Sequence, residues 1–279
     1  MQTIRRASYI FATSVAIDRL GRRLARRETR QVIVVGTRTP AAWLYWTIAS
    51  ILWLPLRIWY RWHFRGVSNL PKTGPVILAS NHISYLDPLA VGYLCLKRRR
   101  RASFLTKKEL FEKGGIAGVV LKWALLALGQ IPVSRGTESA AASLEDAARA
   151  LEQGACVVVF PEGTISHETF EPMQPRTGVA RLASRTGAPV VPAAVWGSHR
   201  AITKNRKPDF RPRYDISVYC GSAIMLDPEE DPRVGAERVM AAIKKLLDEA
   251  MLEYPYDPSP GEDWWLPPRY RTAPARSRS

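Results

Sequence analysis

Cysteine and histidine are scarce in this chain: 279 residues contain three of the first and four of the second. Cys95, Cys156 and Cys220 are odd in number and widely spaced, and the first two lie in apolar surroundings. That pattern points to buried thiols in a reducing compartment and away from a disulfide framework. No His or Cys spacing matches a zinc site, so no metal is expected. Acidic residues are also in deficit, 25 against 41 Lys and Arg, for a formal net charge of +16. Such an excess predicts attraction to anionic lipid, phosphorylated substrates or nucleic acid. No recognised nucleic-acid module accompanies it, so nucleic acid is not expected as a partner. There is no Gly-x-Ser-x-Gly elbow, which argues against a serine hydrolase. No repeat is visible, and no uncharged run exceeds the 18 residues Thr39–Leu56.

That run follows a basic arm, residues 1–38, rich in arginine against only Asp18 and Glu28. Arg5 and Arg6 before Ala7–Ile17 have the outline of an export signal, but Asp18 and more arginines stand where cleavage would fall, so export is not expected. Basic residues beside an aromatic, apolar stretch suit the cytoplasmic face of an anionic membrane. As a helix, the run would be about 27 Å long, slightly short of a hydrocarbon core. Pro55 is expected to disturb its end. Trp43, Trp46 and Trp53 share one face. Tryptophan favours the headgroup boundary, so residues 39–64 are expected to form a membrane-associated helical segment lying in the interface, with a single span as the close competitor and a buried core helix as the third reading.

From about Gly66 the pattern becomes α/β. Strand-like runs at 75–79, 102–106, 156–160, 190–195 and 216–220 alternate with helical stretches near 88–96, 116–128, 138–152, 177–186 and 234–252. This alternation predicts a mostly parallel sheet covered by helices, with its site at the strand ends, in a catalytic domain over residues 65–253. Residues 254–279 are Pro-rich and are expected to be a mostly disordered tail.

Three segments carry chemistry. In VILASNHISYLDP (76–88) an apolar strand ends near Ser80, His82 follows on the turn, and Asp87 stands five residues later. A histidine at a strand end suits a general base, and a carboxylate can hold its tautomer. Ser84-x-x-Asp87 equally matches a helix capping box. GQIPVSRG (129–136) presents Arg135 on an extended piece, and VVVFPEGTIS (157–166) runs an apolar strand into Glu162, Gly163 and Thr164. An arginine fork, a close-approaching glycine backbone and a threonine hydroxyl suit a phosphate. The plainer readings are a surface charge and a strand-ending turn. Lys97–Arg101 (KRRRR) is a further basic cluster, expected to face anionic lipid or donor phosphates.

Taken in order, NHISYLD, GQIPVSR, FPEGT and VVPAAV resemble the four motifs of the 1-acylglycerol-3-phosphate acyltransferase family, over roughly residues 60–220. The resemblance implies His82 as general base on the acceptor hydroxyl with Asp87 as its partner. It implies Lys107 (in TKKEL) and Arg135 near the acceptor phosphate, Glu162, Gly163 and Thr164 shaping the acceptor pocket, and Pro192 in the fourth motif near the acyl site. The donor would be acyl-CoA or acyl carrier protein and the acceptor a lysophospholipid, with no cofactor. One departure stands out: Ile165 occupies a position where the family commonly carries arginine. Lys107, Lys108, Arg176 or Arg181 would have to supply that charge, or the acceptor differs. Another acceptor (glycerol 3-phosphate, another lysophospholipid, a lipid-linked alcohol) and a non-catalytic lipid-binding role are the competing readings.

Overall fold

A computed structural model describes residues 42–110, parts of 112–130, 131–133, 137–256 and 262–271. The basic arm, Arg135 and the side chain of Lys107 lie outside the described residues. The described chain belongs to one compact unit beginning at Pro40.

Five all-apolar or nearly apolar runs become the interior of one sheet. The strands are β1 (Arg61–Arg65), β2 (Val76–Ser80), β3 (Ala102–Lys107), β4 (Ile131–Val133), β5 (Cys156–Val159), β6 (Val190–Trp196) and β7 (Asp215–Cys220). Their order across the sheet is β1-β7-β6-β2-β5-β3-β4, parallel except where β6 meets β7. β2 and β6 are buried along their whole length, as expected of strands covered on both faces. The helices are α1 (Ala42–Trp59), α2 (Asp87–Lys97), α3 (Thr137–Glu152), α4 (Gly178–Thr186) and α5 (Pro232–Leu252). Leu78, Val158 and Val191 face a core layer shared with Ala90, Val91 and Leu94 of α2. Ile77, Ala79 and Val157 face the other layer, with α3, α4 and α5. The mostly parallel, helix-covered sheet is as the alternation predicts. Between 116 and 128 the described positions Gly118, Val119, Lys122, Trp123 and Leu125 are helical.

Four expectations need correction. The segment 39–64 does not stop short of the catalytic domain: β1 crosses the expected boundary and pairs with β7, Arg61 opposite Asp215. Helix α1 continues through Pro55 to Trp59, with that proline exposed on its outer side. The helix also turns Trp53 the other way. Trp53 is buried and stacks on Tyr93 at 5.3 Å, within a cluster that includes Tyr45 and Ala49, because a flat ring gains more by filling the groove against α2. Its outward row is aliphatic: Ile51, Leu54 and Ile58, with Trp59 beside them.

The tail is the fourth correction. Residues 262–271 are folded against the domain, with Trp265 buried in a cluster with Trp196, Leu247 and Tyr254. Proline enrichment suggested disorder, but two adjacent tryptophans bury enough apolar surface to offset the ordering cost.

Candidate active site

The central strand β2 has β5 on one side and β6 on the other, so the three chains leaving their C-terminal ends converge. Such a point, where successive connections leave the sheet in opposite directions, is where open α/β sheets place ligands. β2 delivers His82, β5 delivers Phe160 to Thr164, and β6 delivers Gly197 to Arg200. Asn81 extends the ladder after β2 ends: its side chain donates to Val195 O at 3.0 Å and accepts from Val195 N at 2.7 Å. That anchor sets where His82 leaves the sheet.

His82 and Asp87 do meet. Nδ1 of His82 lies 3.1 Å from Oδ2 of Asp87, with the imidazole side chain 17% exposed and the carboxylate fully buried. The same Oδ2 accepts the backbone N–H groups of Ile83 (2.6 Å) and Ser84 (2.7 Å). One oxygen thus serves the turn, by taking the Ser84 N–H as a capping box would, and the imidazole at once. A spacing of five works because the turn His82–Leu86 folds the chain back ahead of α2. Ser84 Oγ fastens that turn by donating to Ile202 O at 2.6 Å and accepting from Leu86 N at 3.0 Å. A carboxylate that already takes two N–H groups assigns the imidazole proton to Nδ1 and leaves Nε2 as the basic nitrogen. The imidazole stacks on Phe160, ring centroids 4.3 Å apart.

Glu162 lies beneath the pair and is buried. Its Oε1 accepts the His82 backbone N–H at 2.9 Å and its Oε2 accepts from Met173 N at 3.3 Å. Burial pushes its carboxyl up to about 7, against the opposing pull of those two hydrogen bonds. Gly163 sits at φ +69°, exposed, and a β-carbon there would come within 2.8 Å of Arg176 Nε. The Arg176 guanidinium thus lies over the glycine backbone next to Glu162, and its own backbone N–H bonds to Pro161 O at 2.9 Å. Thr164 is exposed beside it. Ile165 is only 7% exposed, so its side chain is turned into the protein and leaves no cation at that position.

Pro192 is not brought to this group. It lies mid-strand in β6 opposite Ala79, and its ring reaches toward Gly221 and Leu246 of α5 on the opposite face of the sheet. There it lines a cavity of about 390 Å³ with Asn69, Gly221 and Lys245. Strand alternation is the reason: Pro192 points to the same side as Val190, whereas His82 and Phe160 lie on the α2 side. Lys107 ends β3, at the same edge of the sheet as the other parallel strand ends.

Within the KRRRR run, two side chains are committed to backbone carbonyls. Arg98 donates to Leu70 O and Ser68 O, and Arg100 is buried and donates to Gly74 O and Gly154 O. Lys97 lies over the Phe64 ring and Arg101 over the Tyr45 ring. The other histidines have structural settings too. His63 bonds Asp215 at 2.8 Å, His167 meets Asn205 at 3.0 Å, and burial holds His199 down to about 3. A buried imidazole that takes a proton only so reluctantly is too weak a base for the task.

One residue escaped sequence reasoning. Ser198 donates from Oγ to Asp87 Oδ1 at 2.6 Å, 111 residues away in sequence. A serine after a glycine in a turn carries no signal that sets it apart.

Residues 61–196 match the model of the Acyltransferase family. They form an acyltransferase-family domain. Among curated proteins, a chloroplastic 1-acyl-sn-glycerol-3-phosphate acyltransferase from Brassica napus is 31% identical over 152 residues, covering 53% of this chain and 41% of that protein. One of the same name from Bacillus subtilis (strain 168) is 29% identical over 129 residues, 46% of this chain and 59% of that one. The chain thus spans about two fifths of the plant relative's length. Among solved structures, a 1-acyl-sn-glycerophosphate acyltransferase from Thermotoga maritima superposes with a TM-score of 0.61 at 22% identity, covering 92% of this chain and 100% of that one. That likeness places the acyltransferase domain in a known fold. The His82–Asp87 pair and the Phe160–Thr164 segment both fall within the matched residues.

Proposed function

We propose that this chain is an O-acyltransferase that moves a fatty acyl group from a thioester, acyl-CoA or acyl carrier protein, to the free hydroxyl of 1-acylglycerol 3-phosphate, giving phosphatidic acid. The observation that carries the proposal is the His82–Asp87 pair at the strand-end convergence, with Nε2 left basic. Nε2 takes the proton of the acceptor hydroxyl as its oxygen attacks the thioester carbonyl. Asp87 stabilises the resulting imidazolium. Collapse of the tetrahedral adduct breaks the C–S bond, and the proton passes from His82 to the departing thiolate. No side chain is acylated in this sequence, and no cofactor is needed.

Arg176 is our candidate for the acceptor phosphate. It is exposed, lies over Gly163 beside the catalytic pair, and takes the place of the charge that Ile165 does not provide. A guanidinium fork at that spot suits a phosphate monoester. Thr164, Lys107 and Arg135 are proposed to complete the headgroup site.

No described helix is long and apolar enough to cross a membrane. The aliphatic row of α1 (Ile51, Leu54, Ile58) and exposed Trp123 favour peripheral docking on a cytoplasmic, anionic lipid surface, helped by the net charge of +16.

The test is an acceptor and donor screen with purified protein. Transfer of labelled acyl groups to lysophosphatidate, lost in His82→Ala, is expected. Full transfer by His82→Ala would overturn the mechanism. Buried Ile165 keeps a second reading in view, the same chemistry on glycerol 3-phosphate or another lysolipid; a higher kcat/KM for such an acceptor would establish it.

A further inference from the structure

The Asp87 carboxylate is completely buried, so both oxygens need donors. Oδ2 has three, from His82, Ile83 and Ser84. Oδ1 receives the Ser198 hydroxyl at 2.6 Å. Ile83 N and Ser84 N hold the Oδ2 end, and among the described residues the Ser198 hydroxyl is what holds the Oδ1 end, so the plane of the carboxylate relative to Nδ1 is set by the two ends together.

The turn that carries Ser198 is itself held firmly. Gly197 adopts φ +89°, and a β-carbon there would lie 2.2 Å from Asp215 O, so the turn tolerates only glycine. His199 Nε2 donates to Trp265 O at 2.8 Å. The Arg200 guanidinium lies 4.2 Å from the Tyr256 ring centre, 4.6 Å from Trp265 and 4.8 Å from Tyr214. The two Trp265 contacts belong to a strap, residues 264–271, that also grips the opposite wall of the site. Trp264 packs edge-on to Phe170, and Arg269 bridges Glu171 (3.0 Å) and Asp248 of α5 (2.6 Å). Glu171 O accepts from Ser166 Oγ, and Ser166 N donates to His82 O at 2.7 Å. The strap therefore fastens the loop behind His82 and the loop behind Asp87 together.

We infer that Ser198 is a positioning residue for acyl transfer: its hydroxyl orients the Asp87 carboxylate toward His82, on a turn that the C-terminal strap holds in place. The inference rests on the acyl-transfer reading above for its kinetic consequence, though not for its geometry. Ser198 is fully buried, so it acts through Asp87 and not on substrate.

The experiment compares full-length wild type, Ser198→Ala, Ser198→Thr and Ser198→Cys. Two readouts are used: steady-state kinetics with acyl-CoA and lysophosphatidate, and the ring 15N signals of His82. Ser198→Ala should lower kcat roughly ten- to a hundredfold, as expected for loss of a hydrogen bond to a charged group, with both KM values within about twofold. Its His82 signals should shift away from the Nδ1–H form. Ser198→Thr, which keeps the hydroxyl, should restore both; failure of a folded Thr variant to do so would count against the idea. Unchanged kcat and unchanged His82 signals in Ser198→Ala would overturn it. Should the alanine variant fail to fold, Ser198→Cys decides, since a weaker donor of similar size must give an intermediate kcat and wild-type behaviour refutes the role. Should wild type transfer no acyl group to any acceptor, the acyl-transfer reading fails, and the 15N comparison alone still decides the positioning role.

Discussion

One oxygen of Asp87 faces His82 Nδ1 at 3.1 Å and at the same time caps the turn at Ser84 N at 2.7 Å. Asp87→Asn can present its carbonyl oxygen to Ile83 and Ser84 and its amide to the Ser198 hydroxyl, so the turn survives. The charge that stabilises the imidazolium does not. The expected outcome is a fall in kcat of about 10³–10⁴-fold with a melting temperature within a few degrees of wild type. Asp87→Ala leaves two buried N–H groups unpaired and should cost, in addition, roughly 2–3 kcal/mol of stability in denaturant titrations.

Glu162 titrates high because it is buried, up to about 7. A carboxyl raised above its unfolded value binds more protons in the folded state, so its contribution to stability is complete below about pH 4.5 and is lost as pH rises through about 7. Glu162→Gln cannot titrate. The stability difference, wild type minus Glu162→Gln, should therefore decline between pH 4.5 and 8, by on the order of 3 kcal/mol. Urea titrations of both proteins across that range would measure it; a flat difference would contradict the assignment.

Gly163→Ala tests the approach of Arg176. Its φ of +69° costs an alanine about 1 kcal/mol, and the new methyl must displace the guanidinium now 2.8 Å from that point. A modest loss of stability should be accompanied by a KM for lysophosphatidate raised several-fold and an unchanged KM for the acyl donor. Arg176→Ala should reproduce the kinetic effect without the stability loss.

How much of this was legible in the sequence depended on how local the cause was. VILAS, CVVV and VVPAAVW read as buried strands because every residue but Ser80 is apolar and short-range pattern suffices. The edge strand RWHFR did not, since alternating charge hides a strand whose partner among the described residues, β7, lies far along the chain. His82, Asp87 and Glu162 were singled out by the resemblance that their ordered motifs carry, not by spacing alone, and the structure brings the three together. Ser198 and the inward turn of Trp53 were not, because each owes its role to a contact between distant segments. The proline-rich context misrepresented Trp265 for the same reason.

Trp265→Ala probes the strap. Removing a ring this deeply buried should destabilise the fold by about 3–5 kcal/mol in chemical denaturation. At temperatures where the variant stays folded, kcat should fall in parallel with Ser198→Ala, because the His199 and Arg200 contacts loosen together.

The outward row of α1 is tested with vesicles. Ile51→Asp combined with Leu54→Asp places charge on the exposed face and leaves the buried Tyr45, Ala49 and Trp53 untouched. Flotation with liposomes containing anionic lipid should drop at least tenfold, while transfer to a short-chain, soluble lysolipid should stay near wild type.

The pairing of β1 with β7 sets the order in which this molecule can be assembled. Arg61 emerges early in synthesis but must wait for Asp215 before its strand has a partner. Until then α1 and its apolar row hang from an unpaired edge, an arrangement of high contact order that folds slowly and is prone to aggregate. A lipid surface that accepts Ile51, Leu54 and Ile58 in the interval would shield that row while the ribosome completes the sheet. On the proposed peripheral docking, the lipid would assist folding before it served as the site of transfer.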